Sequence, residues 1–293
     1  MAAVEKQIRA GADGYAELHD RVTRTIARAR VLHLLDEMHL APSRELAVEP
    51  VTPADLARDA VLRGAIVMHL DLVFRSSVSP PEVAHTAERG IVLVTRHPSL
   101  PEFPVAVVLA ARTDKLIERR AQLFETRTTG AREPDVVMPY ALAASPRRVG
   151  AGRQLLVELI RRCGAAKVPP RITTFSPLTG LRARVIRSVD DPEAWGAVVA
   201  ASPGVDSKRM QSQLLELLSH DRLPEAIGEP ARSWLQREAM EFAGSDAYQV
   251  GNFHRGMGAK LAGVLEQADP ADSDALWWRA WFDYGRAVTS FSR

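Results

Sequence analysis

Val136-Val137-Met138-Pro139-Tyr140-Ala141-Leu142-Ala143, then Ser145-Pro146-Arg147-Arg148-Val149-Gly150-Ala151-Gly152, then a helical run from Arg153 to Cys163 decide the fold. A β-rich segment enters a glycine-containing turn, and the turn opens a helix. Arg171-Ile172-Thr173-Thr174-Phe175 follows as a further strand, stopped by Ser176-Pro177. Upstream lie two more apolar runs, Ile91–Thr95 and Pro104–Ala111. The turn His97-Pro98-Ser99-Leu100-Pro101 separates them, which predicts a hairpin. Glycines at the mouth of a helix let the backbone come close to a phosphate, and the free N–H groups there point at the anion. Arg147, Arg148 and Arg153 add positive charge at that spot. An ordinary glycine turn is the alternative reading. The segment is not a Walker loop, since no Gly-Lys-Ser/Thr follows, and it lacks the third glycine of the dinucleotide fingerprint.

Working outward, Val4 to Met38 contains no proline and places Ile8, Tyr15, Leu18, Val22, Ile26 and Leu35 at roughly helical spacing. A long amphipathic helix is expected there, with packing onto a second subunit as one use for it. A linker from Pro42 to Pro50 follows. Thr52-Pro53-Ala54-Asp55 reads as a helix start, with Thr52 as cap and Pro53 in the first helical position. Pro192 to Gly244 reads as helices broken at Pro203-Gly204, Pro224 and Pro230. Two further helices are expected over Asn252–Gln267 and Ser273–Val288. The order is helices, a sheet with one embedded helix, then helices again, so the fold class is α/β or α+β around a central sheet of four or more strands.

Composition narrows the function. Apolar residues make up 46% and charged residues 25% of the 293, close to globular averages, so a buried core is available. Lysine plus arginine (38) nearly balances aspartate plus glutamate (36), which argues against a general nucleic-acid or membrane surface. Cys163 is the only cysteine, which excludes an intramolecular disulfide framework and a cysteine-rich metal site. No His-Glu-x-x-His occurs, His19, His33 and His39 suggest no metal triad, and no metal is expected. The opening residues carry charges throughout, and the longest apolar patch, Gly64–Met68, is far too short to span a bilayer. A cytoplasmic protein is expected.

Arg147, Gly150 and Gly152 fill the pyrophosphate pattern of the GNAT acyltransferases: Gln or Arg, two residues, Gly, one residue, then Gly or Ala. The resemblance implies that Arg147-Arg148-Val149-Gly150-Ala151-Gly152-Arg153 cradles the pyrophosphate of coenzyme A. Two more segments narrow the branch. Thr174-Phe175-Ser176-Pro177-Leu178-Thr179-Gly180-Leu181 resembles the Leu-Ser-Pro-Ile-Pro-Gly-Phe stretch of the malonyl-CoA decarboxylase family. Val250-Gly251-Asn252-Phe253-His254-Arg255-Gly256-Met257-Gly258-Ala259 is similar to that family's Phe-His-x-x-Asn-Gly-Ala. Arg96-His97-Pro98 with Pro104, and Glu229-Pro230, extend the likeness over Gly90 to Tyr284, about two thirds of the chain.

The family resemblance implies a GNAT-like mixed central sheet flanked by helices. It divides the chain into a helical segment and linker over 1–50 and a catalytic domain over 51–293, with a helical insertion at about 188–250. It makes Ser176 and His254 the catalytic pair, with Asn252, Tyr284 and Tyr140 as candidate support. The implied activity is decarboxylation of a malonyl- or methylmalonyl-type thioester on coenzyme A or an acyl-carrier protein. The thioester carbonyl serves as electron sink, so no cofactor is required beyond the coenzyme A or phosphopantetheine of the substrate. An acyltransferase and a non-catalytic thioester-binding protein are the alternatives. The sequence departs from the family at Met257 for the motif asparagine, at Ala141 for a serine after the tyrosine, and at Gly150 near an acidic position. Without the family, Ser176 reads as a strand end and His254 as an ordinary helix histidine.

Overall fold

The computed structural model describes residues 46–73, 80–98, 100–117, 122, 135–144, 150–200, 203–219, 227–266 and 275–287. The expected helix over Val4–Met38, its use in dimerisation, and Arg147, Arg148 and Val149 lie outside the described residues.

Seven strands form one mixed sheet: β1 (Ala47–Pro50), β2 (Ile91–His97), β3 (Leu100–Thr113), β4 (Val136–Ala144), β5 (Arg171–Pro177), β6 (Lys260–Glu266) and β7 (Trp278–Arg286). Their spatial order is β1-β2-β3-β4-β5-β7-β6. All neighbours are antiparallel except β4 and β5, which need a crossover and obtain it from the helix between them. The nine helices among the described residues are α1 (Pro53–Arg58), α2 (Ala60–Val73), α3 (Pro80–Arg89), α4 (Ala151–Gly164), α5 (Leu181–Asp190), α6 (Pro192–Ala200), α7 (Ser207–Ser219), α8 (Glu229–Gly244) and α9 (Gln249–Gly256). Among the described residues no helix is long and apolar enough to cross a membrane.

Alternation along the strands sorts the core by face. Val107 and Leu109 of β3 join Leu62, Ile66 and Leu70 of α2 and Val83 of α3 on one face. Val108 and Ala110 join Leu155, Leu156 and Leu159 of α4 on the other. Towards β7 that second face is covered by α5, α7 and α8 through Val185, Leu214, Trp234 and Leu235, packed on Ala280 and Phe282.

The predicted hairpin is β2–β3, and it slips in register around Arg96, which faces Pro104. Proline has no N–H to give the ladder, so the slip falls where a bond was unavailable. Thr52 caps α1 in a reciprocal box with Asp55, and Pro53 follows it. The predicted linker needs correcting at its end, because Ala47–Pro50 is an edge strand on β2. The two helices expected over Asn252–Gln267 and Ser273–Val288 are also corrected. Helix α9 stops at Gly256, Gly258 turns at φ 84, and the segments beyond are β6 and β7. Side chains of β7 alternate, with Trp278, Ala280 and Phe282 on the helical face and Trp281 on the opposite one. That period of two in an aromatic-rich segment is strand patterning.

Candidate active site

Strand β5 runs to Pro177, two residues beyond the predicted stop, so Ser176 sits inside it opposite Ala280 of β7. Helix α9 is short because glycines end it, and it sets His254 over the same end of β5. Ser176 Oγ and His254 Nε2 are 2.9 Å apart. The second ring nitrogen, Nδ1, lies 2.6 Å from the hydroxyl of Tyr284 on β7. Three side chains distant in sequence thus form one line, Ser176–His254–Tyr284.

The line is enclosed. Ser176 and His254 are 7% and 6% exposed. The imidazole stacks on Phe282, with centroids 4.7 Å apart and 26° between planes, and meets Phe253 edge-on at 5.3 Å. Apolar walls disfavour a charged ring, and burial pushes His254 down to about 4. The imidazole is therefore neutral at neutral pH, although an unperturbed histidine titrates close to it. Burial moves the Tyr284 phenol up from its ordinary value, so it keeps its proton. The one cysteine, Cys163, is buried in α4, and desolvation lifts its thiol to about 11, which leaves it without thiolate at neutral pH.

Other predicted residues lie elsewhere. Asn252 is exposed, and its amide donates to the Asp246 carbonyl (2.7 Å) while accepting from Arg255. It ties α9 to the preceding turn and does not join the line. Tyr140 packs with the Val92–Leu109 core, and its hydroxyl meets Thr86 Oγ of α3 at 2.6 Å, on the sheet face away from α4. Ala141 and Met257, two of the three departures, are buried in separate cores on opposite faces. Sequence reasoning missed Tyr248. It is 1% exposed, and its hydroxyl donates to the carbonyls of Pro177 (2.9 Å) and Ser176 (3.3 Å). Tyrosine's place directly before the histidine helix was the available signal.

Beside the line the sheet opens. β4 and β5 are in register only at Val136–Arg171 and Val137–Ile172, although β4 continues to Ala144 and β5 to Pro177. The bulge at Tyr140, where Leu109 and Ala110 of β3 face Ala141 and Pro139, lies along this opening. Thr174 Oγ donates to the Pro139 carbonyl at 2.6 Å and bridges the strands. At the gap's end α4 begins two residues earlier than predicted, at Ala151. Gly150 stands before it at φ 74, so Ala151, Gly152 and Arg153 form its first turn. Phe253 and Met257 pack in the same core as Ala151 and Leu155, so the opening of α4 and the His254 helix share one face of the sheet.

No protein-family model and no curated protein sequence matches the chain. Solved structures do. The malonyl-CoA decarboxylase of Agrobacterium vitis superposes with a TM-score of 0.60 at 19% identity, over 87% of this chain and 63% of that one. The Rhodopseudomonas palustris enzyme gives 0.58 at 16%, over 86% and 62%. The fold is that of the malonyl-CoA decarboxylases. A GNAT-like decarboxylase, GphF, in complex with isobutyryl-CoA, gives 0.50 at 14%, over 82% and 98%. The chain therefore spans under two thirds of the malonyl-CoA decarboxylases it matches, and nearly all of the GNAT-like decarboxylase. The mixed, helix-flanked GNAT-like sheet expected from the sequence is the sheet found.

Proposed function

We infer that the chain decarboxylates a malonyl- or methylmalonyl-type thioester carried on coenzyme A or an acyl-carrier protein. The observation that carries this reading is the 2.9 Å contact of Ser176 Oγ with His254 Nε2 at the end of β5, inside apolar walls. The fold shared with malonyl-CoA decarboxylases supports it. The pantetheine arm lies along the gap between β4 and β5, and the pyrophosphate sits at the opening of α4, where Gly150, Ala151 and Gly152 expose backbone N–H groups. The sequence resemblance assigns Arg147, Arg148, Val149 and Arg153 to the same cradle.

The reaction breaks the bond between the α-carbon and its carboxylate. The electron pair passes into the thioester, giving an enolate and carbon dioxide, and one proton from solvent ends on the α-carbon. Ser176, His254 and Tyr284 share two hydrogen bonds, so one hydroxyl proton is left over. With Tyr284 donating to Nδ1, Nε2–H donates to Ser176, and the serine proton is free for the enolate oxygen. An oriented donor at a developing oxyanion is worth about 10²–10³ in rate. The proton that ends on the α-carbon passes through the Ser176 hydroxyl, which Nε2–H of His254 reprotonates while Tyr284 reprotonates Nδ1 and solvent restores the phenol. Ser176 acts by orientation, as a tyrosine, and no carboxylate among the described residues, stands behind His254.

Incubation with malonyl-CoA, read by mass spectrometry, tests the assignment. Acetyl-CoA is the expected product. Free coenzyme A or a transferred acyl group would indicate the acyltransferase, and unchanged malonyl-CoA the binding protein.

A further inference from the structure

We propose that Tyr248 is a positioning residue that sets the Ser176–His254 contact, with Gly251 kept free of a side chain to admit its ring. The proposal rests on the decarboxylase reading for its kinetic consequence, and on geometry alone for the rest.

Tyr248 occupies the cap position of α9, the helix that carries His254, yet its side chain makes no cap bond. Cap positions favour Ser, Thr, Asp or Asn because a short oxygen reaches the free N–H groups of the first turn. Here the side chain is directed elsewhere. Its hydroxyl reaches the last two carbonyls of β5, those of Pro177 and of Ser176 itself. Its ring lies nearly parallel to Phe282, with centroids 6.4 Å apart and 18° between planes, and tilts against Phe242 at 5.4 Å. Phe282 is the ring on which His254 stacks. One residue therefore bonds to the carbonyl of Ser176 and lies beside the ring on which His254 stacks.

Gly251 fits this arrangement. A Cβ there would lie 2.5 Å from Tyr248 Cδ1, and 3.1 Å from both the Ala243 carbonyl oxygen and Arg255 Nη1. The aromatic ring is wedged between Phe242 and Phe282, so it cannot yield without moving the column. A buried phenol needs a partner, but any carbonyl would serve that need. The carbonyls of the serine strand tie the end of β5 to the start of α9, the two elements whose separation fixes the dyad distance. A reacting group misplaced by about 1 Å loses about 10²-fold in rate, so a smaller slip at β5 should lose about tenfold.

The test compares wild type with Tyr248→Phe, which keeps the ring and removes only the hydroxyl. Three quantities are read: the imidazole ¹⁵N shifts of His254 without ligand, kcat and KM for malonyl-CoA, and the thermal midpoint. The proposal expects moved His254 shifts, kcat down about tenfold and KM within about twofold. Gly251→Ala should displace the same shifts, and in a Tyr248→Leu background it should add no further loss. Unchanged His254 shifts in folded Tyr248→Phe overturn the proposal, including when the midpoint falls, because that pattern is merely structural. Should wild type leave malonyl-CoA unreacted, the decarboxylase reading fails while the ¹⁵N shifts still decide the role of Tyr248. Should Gly251→Ala not fold, Tyr248→Phe alone decides.

Discussion

His254 is held neutral by its walls, and that sets two expectations. Burial depresses its pKa to about 4 from an ordinary 6.5. Bond cleavage with a neutral imidazole then gives a kcat/KM that is flat from about pH 8 to about 5 and falls below, because kcat/KM reports the free protein. A break between pH 6 and 7 would contradict the burial argument. The same shift makes stability fall as pH drops from about 6.5 to about 4, since the unfolded chain binds a proton that the native one refuses; the slope from this group is about 1.4 kcal/mol per unit at most. Ser176→Ala should cut kcat by about 10²–10³ with coenzyme A affinity little changed, because the lost hydrogen bond strengthens only in the transition state. A covalent acyl adduct on Ser176, sought by intact mass, would contradict the orienting role. Ser176 and His254 were legible only through motif resemblance, as neither stands out by spacing. Tyr284 was named by the same resemblance; its hydroxyl meets the imidazole edge, whereas Phe282 supplies the stacking face. Tyr248 carried no motif, and its role comes from the strand it reaches across 71 residues of sequence.

Among the elements, those built on local chemistry were legible. The capped start at Thr52-Pro53, the apolar runs of β2 to β5 and the glycine-opened α4 all follow from residue type and spacing. The failures came where helix-forming composition masked a period of two. Trp278–Arg286 is flanked by alanines and charges that suit a helix, and only the alternation of Trp281, which faces Phe175, with Ala280 and Phe282 on the other side reveals a strand. Gly150 is the element-scale test of the phosphate cradle. Its φ of 74 is the left-handed conformation that residues with a Cβ disfavour by about 1–2 kcal/mol, and an added Cβ there meets nothing within 4 Å. Gly150→Ala should therefore weaken coenzyme A binding through a changed backbone rather than a clash. Gly152→Val should weaken it more, by bulk beside the anion, because even a Cβ at Gly152 comes within 3.4 Å of Ala144. Calorimetric titration of folded variants with coenzyme A checks both, and unchanged affinity in Gly152→Val would remove the cradle from α4.

For the whole molecule, the sheet order brings β5 and β7 side by side, and this places Ser176, Phe282 and Tyr284 around a histidine on a helix inserted between β5 and β6. The parallel pair β4–β5 is joined at one end and open at the other, and in the proposed function this opening is the slot for the thioester. The central claim is that this dyad performs decarboxylation. Its most direct measurement is the rate of acetyl-CoA and carbon dioxide formation from malonyl-CoA by wild type and by His254→Asn, both verified as folded. The account predicts stoichiometric acetyl-CoA and carbon dioxide from wild type and a loss of at least about 10²-fold in the variant. Equal rates in the two proteins would contradict it.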